Sequence, residues 1–321
     1  MHRSLRTRRV GGRASGVAAL VGLLTLAGCG STGGPDGGGT APNGDRLAVV
    51  ATTTQVADFA RTVGGDHVTV TQILKPNVDP HDYEPTPADI AATGAARIVV
   101  KNGVGLERWL DPMIGAAGFH GTVVDTSAGV AVRQGEGDEE QAGDPHIWHD
   151  PRNAKTMAGN IEQAFEAADP AHAADYARNL AAYAGQLDRL DADSQRKIDS
   201  LPAERRKLVT NHDAFGYYVD RYHLRFVGSI IPSFDTSAEL SAKQVDELTA
   251  KIKATGVTAV FSESSLPPKT AEAIGRQAGV RVVAGDDALY ADTLGPRGSA
   301  GDTYLRAEEH NTDTIVGALR G

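Results

Sequence analysis

Three histidines in this 321-residue chain stand in settings that suit a metal ion. His81 lies in Lys75-Pro-Asn-Val-Asp-Pro-His-Asp-Tyr-Glu-Pro-Thr-Pro87, His146 in Asp144-Pro-His-Ile-Trp-His-Asp-Pro151, and His212 in Val209-Thr-Asn-His-Asp-Ala-Phe-Gly216. Neutral imidazole is the commonest protein ligand for transition metals. Taken singly, each is more often a structural or solvated residue; together they share a position. His81 follows a predicted strand ending near Leu74, and His212 follows a predicted strand at Lys207–Thr210. His146 immediately precedes a helix that Asp150 caps, with Pro151 at its first position. Ligands in open α/β sheets bind beyond the carboxyl ends of strands, so loops of this kind can converge on one cleft. A carboxylate would complete the set. The segment Gly285-Asp-Asp-Ala-Leu-Tyr-Ala-Asp-Thr-Leu-Gly295 offers Asp286, Asp287 and Asp292, and spacing does not choose among them.

Other polar residues carry weaker expectations. His149, three residues beyond His146, is a conceivable further ligand, but Trp148 is expected to anchor the loop and turn it away. Glu263, in Phe261-Ser-Glu-Ser-Ser265, ends a strand and is expected to accept a hydrogen bond from a ligating imidazole, which fixes a tautomer, or else to be a helix N-terminal charge. Asp82, Glu84 and Asp213 flank the histidines as turn residues. His67, His120, His172, His223 and His310 lack a cleft context. The pattern His-Glu-x-x-His, which would signal a zinc protease, does not occur, so catalysis is not expected.

Such loops need a scaffold. Short apolar runs at Leu47–Ala51, Val68–Leu74, Ile98–Val100, Lys207–Thr210, Ala259–Phe261 and Val280–Ala284 read as strands. Several are apolar throughout, as parallel strands covered on both faces are. Helical patterns such as Pro87–Gly94 and Ser241–Thr255 lie between them. This alternation predicts α/β lobes with parallel sheets. Between Asp169 and Ser200 there is no strand. Tyr176, Leu180, Tyr183, Leu187, Leu190 and Ile198 recur there mostly at spacings of three and four. Asp169-Pro170 supplies an N-cap and an N1 proline. A helix of about 30 residues would run roughly 45 Å, which suits a rod joining two lobes.

The first residues read as an address. Five arginines precede an apolar run, Gly16–Leu26, which is too short to span a bilayer but suits a signal peptide. The run ends in Leu26-Ala27-Gly28-Cys29, and Cys29 is the only cysteine. A lipoprotein leader over 1–28, lipidation at Cys29 and a glycine-rich tether over 29–45 are therefore expected. The formal charge is −9, and removing those five arginines makes it −14. An acidic chain without a basic block argues against nucleic acid as partner. The acidic, glycine-rich segment 133–144 precedes His146, and a solvated loop is its simplest reading.

The segments DPHDYEPTP (79–87), NGVGLERWL (102–110), DPHIWHDP (144–151), LPAERRKLVTNHDAFGYYVDRYHL (201–224), VFSESSLPPK (260–269) and LYADTLG (289–295) together resemble the cluster A-I (cluster 9) solute-binding proteins of ABC transporters for zinc and manganese. The resemblance covers essentially everything from Leu47 to Leu319. It implies two α/β lobes (46–168 and 202–321) joined by one long backbone helix (169–201), with the metal in the cleft between them. It carries the ligands onto His81, His146, His212 and Asp292, and it alone selects Asp292. Relatives with an acidic residue where His212 stands tend toward manganese. Three imidazoles and one carboxylate satisfy tetrahedral Zn²⁺, whereas Mn²⁺ prefers oxygen-rich sites, so Zn²⁺ is the expected cargo and Mn²⁺ the lesser one. The partners implied are an ABC permease and, through the lipid anchor, the outer face of the cytoplasmic membrane, with the protein a monomer. A metal-dependent hydrolase and a surface adhesin are the competing classes. Zinc-selective relatives often carry a longer, histidine-rich version of segment 133–144, and this chain has no histidine there.

Overall fold

Runs of valine and isoleucine without polar interruption make strands that must be covered on both sides, and two of the four strands in the first half of the chain are of this kind. The computed structural model describes residues 46–135, 142–238 and 240–320. The leader, Cys29, the tether and positions 136–141 of the acidic segment lie outside the described residues. The strands β1 (Leu47–Ala51), β2 (Val68–Gln72), β3 (Ile98–Lys101) and β4 (Thr122–Asp125) pair in the order β2-β1-β3-β4, all parallel. Val49, Val50, Ala51, Ile98, Val99 and Val100 are buried. The helices α1 (Thr54–Gly64), α2 (Pro87–Ala95) and α3 (Leu110–Ala117) connect these strands. Because the chain leaves β1 toward β2 and returns to its other side as β3, the carboxyl ends of β1 and β3 frame a crevice, the usual ligand position in such sheets.

The helix α4 (Pro151–Ala168) leads into α5 (Ala173–Asp199), whose 27 residues span about 40 Å. Its stripe of Tyr176, Tyr183 and Leu187 joins the first core and Ile198 joins the second, so it connects both lobes. Asp169 does not cap it. The Asp169 carboxylate instead accepts hydrogen bonds from the His172 ring and the Tyr176 hydroxyl, both at 2.7 Å, and a short 3₁₀ turn at Pro170–His172 starts the helix.

The second lobe holds β5 (Lys207–His212), β6 (Arg225–Ile231), β7 (Ala259–Phe261) and β8 (Arg281–Val283), with α6 (Gly216–Tyr222), α7 (Ala242–Thr255) and α8 (Lys269–Ala278) between them. These strands pair as β5-β6 and β7-β8, again parallel. The carboxyl end of β5 is taken by a side chain: Glu263 Oε1 accepts the backbone N–H groups of Asn211 and His212 at 3.1 and 3.0 Å. Strands β4 and β6 have no counterpart among the predicted runs. Thr-Val-Val-Asp is short and lies at the sheet edge with Val123 exposed, and Gly228 interrupts β6. The final helix α9 (Tyr304–Arg320) begins in the first core with Tyr304 and Ala307 and ends in the second with Ile315 and Leu319. Two helices therefore run through both lobes, where the sequence pointed to one. Among the described residues, no helix is long and apolar enough to cross a membrane.

Candidate metal centre

His81 rides on the loop between β2 and α2. Asp79 Oδ1 accepts its backbone N–H at 2.9 Å, and Trp109 Nε1 donates to the neighbouring Pro80 carbonyl at 3.0 Å. Two of the motifs quoted above thus meet in space to fix one imidazole. Below it, the buried Glu107 fills the crevice between β1 and β3, accepting from Thr52 Oγ1 and from the Asn102 and Gly103 amides. Asn102 in turn donates through Nδ2 to the Pro145 carbonyl at 2.9 Å, which places the residue before His146.

The four side chains come together. His81, His146, His212 and Asp292 each offer one donor atom, all within 4.8 Å of one another, and no other group of this kind occurs among the described residues. Nε2 of His212 lies 3.2 Å from Nε2 of His146. Asp292 Oδ1 lies 3.3 Å from His212 Nε2 and 3.4 Å from His146 Nε2, and its Oδ2 lies 3.9 Å from His81 Nε2. His81 Nε2 and both Asp292 oxygens are buried and without a hydrogen-bond partner among the described residues. Leaving such atoms unpaired away from water is costly, and a cation among them would satisfy all three.

The far side of two rings is also occupied. His146 Nδ1 lies 2.8 Å from Asp144 Oδ1 and His212 Nδ1 lies 2.6 Å from Glu263 Oε2, so each N–H donates backward and each Nε2 faces the common point. Burial would depress His146, but its bond to Asp144 and the charge of the nearby Asp292 carboxylate push it up to about 9. His212 likewise rises well above the ordinary histidine range, because Asp292 and Glu263 outweigh burial. Burial dominates at His81 and lowers it to about 3. Burial would raise Asp292, yet His212, His146 and His81 hold it well below the usual carboxylate range. The 3.2 Å contact between Nε2 of His146 and Nε2 of His212 leaves room for one hydrogen between the two rings.

Asp292 reaches the point because its loop crosses to the first lobe. Trp148 Nε1 donates to the Ala291 carbonyl at 3.1 Å, the Asn77 amide donates to Thr293 Oγ1 at 3.0 Å, and the Leu294 amide donates to Thr54 Oγ1 at 2.8 Å. Asp286 and Asp287 are exposed in a separate turn, as are Asp82 and Glu84 on the His81 loop. Asp213 sits outside the group, its carboxyl pushed up to about 6 by burial. His149 is buried but bonded through Nδ1 to Glu308 at 2.8 Å and stacked on Phe215, away from the other three. His67 and His172 stack on each other, His310 bonds the Ala288 carbonyl, and His120 and His223 are exposed. Sequence reasoning missed Asp144, Glu107 and Glu308. Only Asp144, two residues before His146, carried a local signal.

A family model described as "ZnuA: Zinc-uptake complex component A periplasmic" matches residues 49–318. The chain belongs to this ZnuA family. It is similar to the zinc-binding protein TroA of Treponema pallidum (strain Nichols), at 36% identity over 276 residues, covering 84% of this chain and 88% of that protein. It is also similar to the manganese ABC transporter substrate-binding lipoprotein PsaA of Streptococcus mitis, at 30% identity over 286 residues, covering 87% and 91% of the two chains. The solved periplasmic zinc-binding protein TroA from T. pallidum superposes with a TM-score of 0.79 at 33% identity, covering 85% of this chain and 99% of that one. The proteins similar to this chain thus include ones named for zinc and for manganese.

Proposed function

We propose that this protein captures Zn²⁺ outside the cytoplasmic membrane and delivers it to an ABC-type importer, with His81, His146, His212 and Asp292 as the four ligands. One observation carries the reading: four donor atoms from four separate segments lie within 4.8 Å of each other at the seam between the lobes. A tetrahedron with bonds of about 2.0–2.1 Å has ligand-to-ligand edges of roughly 3.3–3.4 Å. The contacts of 3.2, 3.3 and 3.4 Å among His146 Nε2, His212 Nε2 and Asp292 Oδ1 match those edges, and His81 Nε2 lies 3.9 Å from the other Asp292 oxygen, Oδ2. Three imidazoles with one carboxylate favour Zn²⁺ over the oxygen-seeking Mn²⁺. A catalytic zinc keeps one position for water beside a general base, whereas Asp292 fills the fourth corner here. A cavity of about 820 Å³ lies beside His81, lined also by Arg108 and Asp235, which pair at 3.0 Å across the seam. Lipidation at Cys29 would hold the protein on the outer face of the cytoplasmic membrane, within reach of its permease.

Competition between Zn²⁺ and Mn²⁺ for metal-free protein tests the cargo: zinc is expected to win by orders of magnitude, and manganese preference would overturn the assignment. His212→Ala is expected to weaken zinc binding at least a hundredfold with the fold retained by circular dichroism. Unchanged affinity would remove His212 from the ligand set.

A further inference from the structure

The side chains behind His146 reach further than its own lobe. Asp144, which accepts the His146 ring N–H, also accepts from Arg133 Nη1 at 2.7 Å, and Arg133 Nε donates to Asp220 Oδ2 at 2.7 Å. Asp220 lies on α6, the helix that starts four residues after His212. From the same helix, Tyr217 accepts the Arg133 backbone N–H at 3.0 Å and donates its hydroxyl to the Asp144 carbonyl at 2.9 Å. Gly216 belongs to the same arrangement, since a Cβ there would collide with the Arg133 guanidinium. The segments that carry the two histidines in 3.2 Å contact are thus tied together behind the site, from Asp144 to α6, through one arginine and one tyrosine.

The geometry points to Arg133 and Tyr217 as positioning residues that set metal preference by fixing how closely His146 and His212 approach. This rests on the ligand assignment proposed above. Zn²⁺ needs the short edge of a compact tetrahedron, whereas Mn²⁺ accepts longer bonds and more ligands. A tie that holds the two rings close favours the former, and slackening it relieves the latter.

Three variants leave every ligand in place. Arg133→Lys keeps the charge but cannot grip Asp144 and Asp220 together. Tyr217→Phe removes only the hydroxyl, and Gly216→Ala drives a methyl group into the Arg133 guanidinium and against Asp144 Oδ2 where the two meet. Zinc and manganese dissociation constants would be read by competition on the full chain, alongside the visible spectrum of the Co²⁺-loaded form and the thermal midpoint without metal. Loss of partners behind a ligand typically costs ten- to a hundredfold in affinity. Zinc binding is expected to weaken about tenfold and manganese binding far less, so the zinc-to-manganese ratio falls about tenfold and the Co²⁺ spectrum shifts. An unchanged or raised ratio overturns the inference, including when the thermal midpoint drops, because that leaves a purely structural role. Should Arg133→Lys fail to fold, the other two variants decide. His146→Ala serves as the control: full zinc binding by that variant would sink the ligand assignment itself, whereas its failure to bind beside unaltered ratios in the three variants would sink only this inference.

Discussion

Lowering the pH should weaken zinc binding well above the range where an ordinary histidine titrates. The magnitude is the one expected when the His146–His212 pair, with Nε2 atoms 3.2 Å apart, holds one shared proton between them. Both rings are held above the usual range, His146 at about 9, because Asp144, Glu263 and Asp292 outweigh the burial that would depress them. A metal ion needs both Nε2 lone pairs, so the shared proton must leave when the ion enters. His81, lowered to about 3 by burial, brings no further proton at neutral pH. The sign is fixed by the raised values: the proton is present below about 9, so it opposes the metal throughout the neutral range and ceases to do so only above it. One displaced proton weakens apparent affinity tenfold per pH unit. Between pH 7.5 and 6.0 that is about 30-fold, or about 2 kcal/mol. Competition against a chelator of known proton affinity at several pH values gives the slope directly. A slope near one is expected from pH 6 to above 8. Affinity independent of pH down to about 6.5, as unperturbed imidazoles would give, refutes the shared proton.

Glu263→Gln keeps the outline of the side chain but removes the charge behind His212, and it is expected to cost about tenfold in zinc affinity; an unaltered dissociation constant would leave Glu263 with only its caps on the Asn211 and His212 amides. Asp58, on α1, is pushed up to about 6 mainly by burial, with the Tyr304 amide and Arg61 opposing. Its contribution to stability is full below about 3.8 and is lost as the pH rises through about 6, so at pH 7.5 the charged form costs about 3 kcal/mol. Asp58→Asn should therefore raise the thermal midpoint by several degrees at pH 7.5 and by roughly half as much at pH 5, and an equal gain at both values would rule out the carboxylate as its source. Cys29→Ala should release the protein from membranes into the soluble fraction, and continued membrane association would refute lipidation.

The parts of the fold that were legible in the sequence are those with a single dominant cause. The apolar runs that became β1, β3 and β7 and the three-and-four spacing of α5 are dictated by burial alone. The strands that escaped, β4 and β6, owe their pairing to neighbours far along the chain: β4 is a short edge strand with one exposed valine, and Gly228 breaks the pattern of β6. At the site, His81, His146 and His212 announced themselves by chemistry and position, while Asp292 could not be separated from Asp286 and Asp287. What separates them is the bond from Trp148, 143 positions away, to the carbonyl of Ala291. Glu107 and Arg133 stayed hidden for the same reason, since a carboxylate or guanidinium gains its role from what folds against it.

The last helix has a bearing on how the molecule unfolds. Leu294, Tyr304 and Ala307 complete the first hydrophobic core although the strands of the second lobe precede them in the chain. The first lobe therefore cannot finish its interior without a segment that the second lobe delivers. Both lobes should come apart in one step, because no cut between the halves leaves an intact interior on either side.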